Sequence, residues 1–288
     1  MSQAQTTSGD VNAEPAGGQG TRVPHLVRHG TLYLQIVTLT VMIALWEWIA
    51  DRFDTVFWTS SPSGVLRELV SWAQSGQLAS DVALTLTEAG VGFVIGSVAG
   101  ALLGFLLGWV RRLGDLFEPF VLSFYTLPKV ALAPLFVLWF GIGALNKIMF
   151  SGLLVFFMVF FTTFQGMRQV DTDLLANARL LGASRLQTFI KIAIPYSAVW
   201  VFAGLRIGLP YALIGAIVGE FVAADSGVGY RIKEATSFFN TAAVFAGLVV
   251  LMVISLAFLA ILKAIERRTL RWQTIGETDA TAPGEAHE

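Results

Sequence analysis

The chain has 288 residues, of which 55% are hydrophobic and only 14% are charged, and its formal net charge at pH 7 is -1. Soluble domains carry roughly 25% charged residues, so this composition predicts a protein of the lipid bilayer rather than a water-facing globule. The near-neutral charge argues against a nucleic-acid partner. The sequence contains no cysteine, which excludes disulfides, thiolate metal ligands and cysteine nucleophiles. Its histidines, His25, His29 and His287, all lie near the chain ends, which excludes a histidine-based centre within the membrane.

The chain divides into two polar ends and a long apolar middle. We predict that 1–28 and 274–288 are disordered cytosolic tails, because they contain few apolar residues, and that 29–273 is the transmembrane domain. A membrane-spanning helix needs about 20 residues, which divides the middle into six predicted spans and makes the predicted fold class all-α. The predicted spans are 32–50, 84–110, 115–140, 147–167, 195–222 and 242–263.

Basic residues are concentrated at one set of span ends, and such ends usually face the cytosol. Six spans place both termini on the same side, so the predicted orientation has both termini and the loop at about 168–195 in the cytosol. The basic residues beside the predicted cytosolic ends, twelve of the nineteen in the chain, are Arg22, Arg28, Arg111, Arg112, Arg168, Arg179, Arg185, Lys191, Lys263, Arg267, Arg268 and Arg271.

Glycines recur every four residues along the second predicted span, at Gly92, Gly96, Gly100, Gly104 and Gly108. Such a row leaves a groove in which another helix can approach closely. The fifth span repeats this spacing twice, at Gly204 and Gly208 and at Gly215 and Gly219. We therefore predict close helix packing, with an interface shared by the second and fifth spans. A sliding surface for transport motion is the alternative.

Two prolines interrupt the third predicted span, at Pro128 and Pro134, with Lys129 between them. Each proline removes a backbone donor and bends or breaks a helix. Broken helices persist in membranes where the backbone is buried in protein or lines a wet cavity, so we predict that 127–135 lies near a transport pathway. A simple packing kink is the alternative, since prolines are common in membrane helices.

A single charge, Arg206, lies near the middle of the fifth span, where it costs roughly 2.5 to 3.5 kcal/mol on insertion scales. It therefore needs a partner or water, and the available carboxylates are Glu47, Glu88 and Glu220. Arg206 either faces the pore and favours anionic cargo or forms a structural ion pair. At the end of this span, Glu220 begins the segment 220–230, whose glycines Gly227 and Gly229 predict a tight turn at the outer face.

The loop at 168–195 is predicted to form two short helices separated by a glycine corner. Asp171 places an acid where the first helix would start, and apolar residues then recur at helical spacing. Gly182 ends this helix, and Ser184 with Gln187 forms a capping box that begins the second. Such a loop is either an ordinary connector or a structure that a protein outside the membrane binds.

The end of this loop resembles the signature of ABC-importer permeases, which reads E-A-A, three residues, Gly, nine residues and I-x-L-P. The chain has Ala176-Asn177-Ala178, then Gly182, and then Ile192-Ala193-Ile194-Pro195. Ala176 replaces the family's Glu and removes any charge contact that a Glu would make with the ATPase. The resemblance implies that the ATPase-coupling residues are Ala176, Asn177, Ala178, Gly182, Ala183, Ser184, Ile192 and Pro195.

Further segments resemble the branch of this family that imports nitrate, sulfonates, taurine and similar compounds. They lie at 127–129, 133–135, 138–143, 204–207 and 226–230. The resemblance implies a MetI-like permease fold. Taken with the breaks and charges described above, it makes the pathway candidates Pro128, Lys129, Pro134, Arg206 and Glu220.

The resemblance also implies partners. The chain would form a homodimer in the cell inner membrane, with one pathway between the copies, and would accept cargo from an extracytoplasmic solute-binding protein. A cytosolic ABC ATPase would dock under each 168–195 loop and bind ATP and Mg, since this chain has no G-x-x-x-x-G-K-[ST] phosphate loop. The chain itself would be a non-catalytic transport subunit with no cofactor of its own.

Two other classes of function are weaker alternatives. An ion-coupled secondary transporter normally places carboxylates and broken helices in both halves of an inverted repeat, whereas only one predicted span is clearly broken here. A membrane enzyme needs a nucleophile, metal ligands or an acid–base pair within the spans, and this sequence offers only carboxylates and hydroxyls there. The cargo stays open among nitrate, a sulfonate, taurine and a small heterocycle.

Overall fold

The computed structural model describes residues 25–53 and 56–269. All regular elements in these ranges are helices, which confirms the predicted all-α class. The predicted C-terminal tail and residues 1–24 of the predicted N-terminal tail lie outside the described residues. The first helix begins at His25, four residues before the predicted start of the transmembrane domain.

The chain forms two compact units, of which the first ends at Trp48, within helix α1 (His25–Arg52), and the second begins at Ile49. A 3₁₀ turn at Lys129–Leu132 precedes α6, and a π-helical segment at Phe189–Ala193 joins α9 to α10. The helices of the second unit are α2 (Val56–Thr59), α3 (Pro62–Gln74), α4 (Gln77–Trp109), α5 (Arg111–Thr126), α6 (Ala133–Phe140), α7 (Ala144–Arg168), α8 (Thr172–Leu180), α9 (Arg185–Thr188), α10 (Ile194–Ala223), α11 (Val228–Ser237) and α12 (Thr241–Thr269).

Five described helical stretches are long and apolar enough to cross a membrane. They are Tyr33–Arg52, Gln77–Trp109, Ala144–Arg168, Arg185–Ala223 and Thr241–Thr269. The third predicted span is instead a broken pair, Arg111–Thr126 and Lys129–Phe140, whose axes differ by 84°. Each of the six predicted spans therefore corresponds to a helix or to the broken pair. The break falls at Pro128, as expected from a residue that lacks an amide donor.

Helix α7 lies at the centre of the second unit, and both α4 and α10 pack along it. On the α4 side, Cβ atoms added to Gly92 and Gly100 would each lie 2.7 Å from a carbonyl oxygen of α7, those of Ile148 and Phe156. A side chain at either position would therefore push the two helices apart. Backbone contact of this kind is what a four-residue glycine row permits.

The glycines of α10 also face α7. A Cβ atom on Gly215 would lie 2.5 Å from Ser151 Cα, and one on Gly219 would lie 2.9 Å from Lys147 Cγ. Helices α4 and α10 do contact one another, as predicted for the second and fifth spans, but the glycine rows of both pack against α7 instead. Glycine spacing indicates that a helix can be approached closely, but it carries no information on which helix approaches.

The apolar core of the second unit lies among α4, α7, α10, α11 and α12. Small and branched side chains dominate it, and such side chains allow membrane helices to approach closely. Its buried members are Ala89, Val155, Val159, Ala212, Leu213, Ala216, Val228, Ile232 and Ile254.

Gly100→Ala is expected to destabilise the protein by about 1–3 kcal/mol, because the added methyl group would meet the α7 backbone. Thermal unfolding of the purified chain in detergent measures this loss. Gly90→Ala is the matched control on the same helix, since its nearest neighbour would be Phe258 Cζ at 4.0 Å, and we expect it to be neutral or slightly stabilising. Equal unfolding temperatures for the two variants would contradict the packing of α4 on α7.

Candidate functional site

The loop between α7 and α10 forms α8, a sharp corner and α9, as the sequence predicts. Gly182 lies at the corner with a φ of +87°, a left-handed conformation that glycine adopts at little cost, and its amide donates to Arg179 O at 2.9 Å. Ser184 then starts α9 with the predicted capping box. Ser184 Oγ accepts from the Gln187 amide at 3.2 Å, and Gln187 Oε1 accepts from the Ser184 amide at 2.9 Å.

The other predicted coupling residues surround this corner at different depths. The half-buried ones are Ala178, Ala183 and Ile192, and the exposed ones are Ala176, Asn177 and Pro195. Ile192 lies in the π-helical segment that precedes Pro195, which has no amide proton with which to continue an α-helical ladder.

Several large apolar side chains of the loop are exposed when the chain is considered without partners. Leu180 and Leu181, at the end of α8, are 85% and 89% exposed. Leu174 and Leu186 are exposed as well. Apolar side chains grouped on an exposed segment mark an interaction surface. The loop therefore combines a capped helix with exposed apolar side chains, and this combination favours a partner-binding structure over an ordinary connector. We call these four leucines the leucine surface.

Apart from the loop, a group of polar residues is buried between the helices of the second unit. Glu88 of α4 and Lys147 of α7 form an ion pair in which Nζ and Oε1 lie 2.8 Å apart, and their side chains are 0% and 4% exposed. Removing one partner of such a pair would leave an uncompensated charge in a low-dielectric interior. The sequence analysis considered Glu88 only as a partner for Arg206 and did not single out Lys147.

Glu220 holds the turn between α10 and α11. Its Oε1 accepts a hydrogen bond from Thr85 Oγ1 at 2.6 Å, and its Oε2 accepts one from the Gly229 amide. Thr85 Oγ1 in turn accepts from the Val228 amide at 3.0 Å. A short connection at 224–227 joins α10 and α11 and includes Gly227, whereas Gly229, which was also predicted in the turn, lies in α11. The Glu220 side chain is fully buried in the single chain and bonded to Thr85 of α4, and its place on a pathway stays a prediction.

Asp81, in the second turn of α4, adds α3 to this network and makes further contacts with α11. Its Oδ1 accepts from the Gly227 amide at 3.0 Å, and its Oδ2 accepts from Arg231 Nε at 3.0 Å. The indole Nε1 of Trp72 also donates to Oδ2, at 3.1 Å. One carboxylate therefore joins α3 and α11 to the start of α4.

We call the buried side chains of this network the polar cluster, and its members are Asp81, Thr85, Glu88, Lys147 and Glu220. The three residues from α4 lie on one face at helical spacing. A polar stripe of this kind within an apolar run was visible in the sequence and is the signal that could have revealed the cluster. Among the residues that the structure describes, no three His, Asp or Glu side chains are grouped to hold a metal ion.

The broken span keeps Lys129 against aromatic side chains. Its Nζ donates to Tyr125 O at 2.6 Å and lies 4.9 and 5.2 Å from the ring centres of Tyr125 and Phe157. Pro128 precedes the 3₁₀ turn, and Pro134 lies in the first turn of α6. These local contacts stabilise the charge of Lys129. The five predicted pathway residues do not form one site.

Arg206 forms an ion pair with Glu266, whose two carboxylate oxygens lie 2.6 and 2.7 Å from its Nη2. Glu266 was not among the carboxylates expected, of which Glu88 and Glu220 lie in the polar cluster instead. The expectation was wrong because Glu266 belongs to the last turn of α12, beyond the end of the predicted sixth span. This contact favours the structural ion pair over a pore-facing charge.

Residues 92–271 match the family described as the binding-protein-dependent transport system inner membrane component. The chain is 33% identical over 238 residues to the putative aliphatic sulfonates transport permease protein SsuC of Bacillus subtilis (strain 168), covering 81% of this chain and 85% of that protein. It is 33% identical over 238 residues to the riboflavin transport system permease protein RibX of Chloroflexus aurantiacus, covering 82% and 89%.

Solved structures with a similar fold include an inward-facing conformation of the MetNI methionine ABC transporter, from the CY5 SeMet soak crystal form. The TM-score is 0.59 at 21% sequence identity, and the match covers 67% of this chain and 95% of that chain. At this level of identity the comparison concerns the fold alone.

Proposed function

The chain belongs to the family of binding-protein-dependent transport system inner membrane components, and from this we propose that it works as a homodimer with one solute pathway between the copies. It is a membrane permease of the ABC importer class with a MetI-like fold. We further propose that it lies in the cell inner membrane with both termini and the 168–195 loop in the cytosol. The basic residues at those span ends support this orientation.

In this proposal, a cytosolic ATPase docks on the loop that carries the leucine surface. The observation that supports this docking is the exposure of Leu180 and Leu181 beside the Gly182 corner. The ATPase subunits bind ATP and Mg, and this chain contributes motion rather than bond chemistry. ATP binding closes the ATPase pair and displaces α8 and α9. The helices then rock from an inward-open to an outward-open arrangement.

Helix α7 is the element suited to carry this motion across the membrane. Its C-terminal end leads into the loop, and its N-terminal end carries Lys147 of the polar cluster. Because α4 and α10 pack closely along it, the three helices move as one body. The polar cluster links this body to the α10–α11 turn at the opposite end, where we propose that the extracytoplasmic solute-binding protein docks.

We propose that the cargo is a small solute of the nitrate, sulfonate or taurine type. The names of the sulfonate permeases among its relatives support this class, although the riboflavin permease has the same sequence identity to this chain.

Arg206→Gln is expected to leave uptake within about twofold and to lower stability, because it leaves the Glu266 carboxylate without its countercharge. Uptake in proteoliposomes and thermal unfolding measure the two effects. Glu266→Gln should have the same effect, and the double variant should be no worse than either. Arg267→Gln, which leaves the pair in place, is the control. Selective loss of anionic cargo in Arg206→Gln would contradict the structural role.

The experiment that tests the importer is purification of the tagged full chain from its native membranes in mild detergent. We expect a stoichiometric ATPase to remain bound, and uptake by the reconstituted complex to require ATP and a binding protein. An ion-coupled secondary transporter is the alternative. A chain that purifies alone, and that moves solute in vesicles along an ion gradient without ATP, would overturn the proposal.

A further inference from the structure

A cavity of about 410 Å³ lies beside the coupling loop, between the C-terminal ends of α4 and α7 and one face of α8. The α8 residues that line it recur at the three- and four-residue spacing of a single helix face, and they are Thr172, Leu175, Ala176 and Arg179. None of the four residues of the leucine surface lines the cavity. The cavity and the leucine surface are therefore different parts of the loop, although Ala176, one of the predicted coupling residues, lines the cavity.

The cavity wall is strongly basic. It contains no acidic side chain, and its arginines are Arg111, Arg168, Arg179 and Arg185. Arg168 is paired, since its Nη1 lies 3.0 Å from Glu118 Oε2 and its Nη2 contacts Asp115. The other three arginines form no ion pair with any residue in the described part of the chain. Arginines that line one cavity without an acidic partner repel one another, and a bound anion would relieve that repulsion.

We propose that this arginine cavity binds the phosphate group of an anionic phospholipid. Guanidinium forks bind phosphate oxygens in a bidentate manner, which makes phosphate the anion that suits them best. Trp109 and Arg111, where α4 meets α5, have the character of residues at the membrane surface, where basic pockets between spanning helices take lipid head groups. The apolar part of the wall, Met167, Val170 and Leu175, suits the glycerol and first methylene groups of the lipid.

Ala176 leaves room for this ligand. Ala176 lines the cavity, at the position where the resembled loop signature has Glu. A glutamate there would place a tethered carboxylate among the arginines and compete with the phosphate.

The test uses the delipidated full-length chain in a neutral detergent, with thermal unfolding and native mass spectrometry as readouts. Phosphatidylglycerol is expected to raise the unfolding temperature and to remain bound, whereas phosphatidylcholine is not. The double variant Arg111→Gln, Arg185→Gln should bind phosphatidylglycerol at least about tenfold more weakly. Ala176→Glu should unfold at a higher temperature without lipid and lose the response to phosphatidylglycerol.

Two controls match these variants. Arg112→Gln removes the same charge beside the cavity without lining it, and Asn177→Glu adds the same charge on another face of α8. Both should keep the wild-type response to phosphatidylglycerol. Equal responses to phosphatidylglycerol and phosphatidylcholine, or equal weakening by Arg112→Gln, would overturn the proposal. Stabilisation by glycerol 1-phosphate at the same concentration would overturn the lipid assignment in favour of a soluble phosphate ester.

Discussion

Lys147→Met is expected to destabilise the permease by about 3–5 kcal/mol, because it leaves the Glu88 carboxylate buried without its countercharge. Glu88 Oε2 already lacks a hydrogen-bond partner, so its environment offers little to replace the lysine. A loss of this size is a large fraction of the stability of an ordinary domain. Thermal unfolding of the detergent-purified chain would show this loss as a lower unfolding temperature. Size-exclusion chromatography would show it as aggregation.

The double variant Glu88→Gln, Lys147→Met is the decisive comparison. It removes both charges, and replacement of a whole buried ion pair is often neutral, so we expect it to recover most of the stability that Lys147→Met loses. Lys233→Met, at an exposed position of α11, controls for the loss of one lysine. If Lys147→Met unfolded at the wild-type temperature, the ion pair would not stabilise the contact between α4 and α7.

Gly182→Val is expected to abolish ATP-driven uptake while leaving membrane insertion and ATP hydrolysis by the partner intact. A β-branched residue disfavours the left-handed backbone that Gly182 adopts at φ +87°, so the angle between α8 and α9 must change. The leucine surface then meets the ATPase in a different orientation. Parallel assays of ATP hydrolysis and solute uptake in proteoliposomes containing the whole complex would reveal this uncoupling.

Gly76→Val provides the matched control for that experiment. Gly76 has a similar φ of +74°, and as at Gly182 an added Cβ atom would have no neighbour within 4 Å. The backbone strain is therefore comparable, but Gly76 lies between α3 and α4, away from the loop. We expect Gly76→Val to keep uptake coupled to hydrolysis. Coupled uptake in Gly182→Val, or the same uncoupling in both variants, would argue against the role of the corner.

Local features of this protein followed from the sequence because short stretches of chain decide them. The capping box depends on Ser184 and Gln187, three residues apart, and the glycine corner depends on the backbone freedom of one residue. The break in the third span depends on the missing donor of Pro128. Span length and apolar content likewise predicted the all-helical fold. The same reasoning could have reached the polar stripe of α4, which was overlooked.

Only the tertiary structure decided which of these elements meet. Glu88 and Lys147 are 59 residues apart in the chain, and Thr85 and Glu220 are 135 apart. The partner of Arg206 and the common packing of both glycine rows on α7 are contacts of the same long-range kind. Periodicity places a residue on a face of its own helix, whereas the neighbour of that face depends on how all the helices pack together. The amino-acid sequence therefore determined the membrane-spanning helices and the shape of the loop, and packing in three dimensions determined the charge pairs and the arginine cavity.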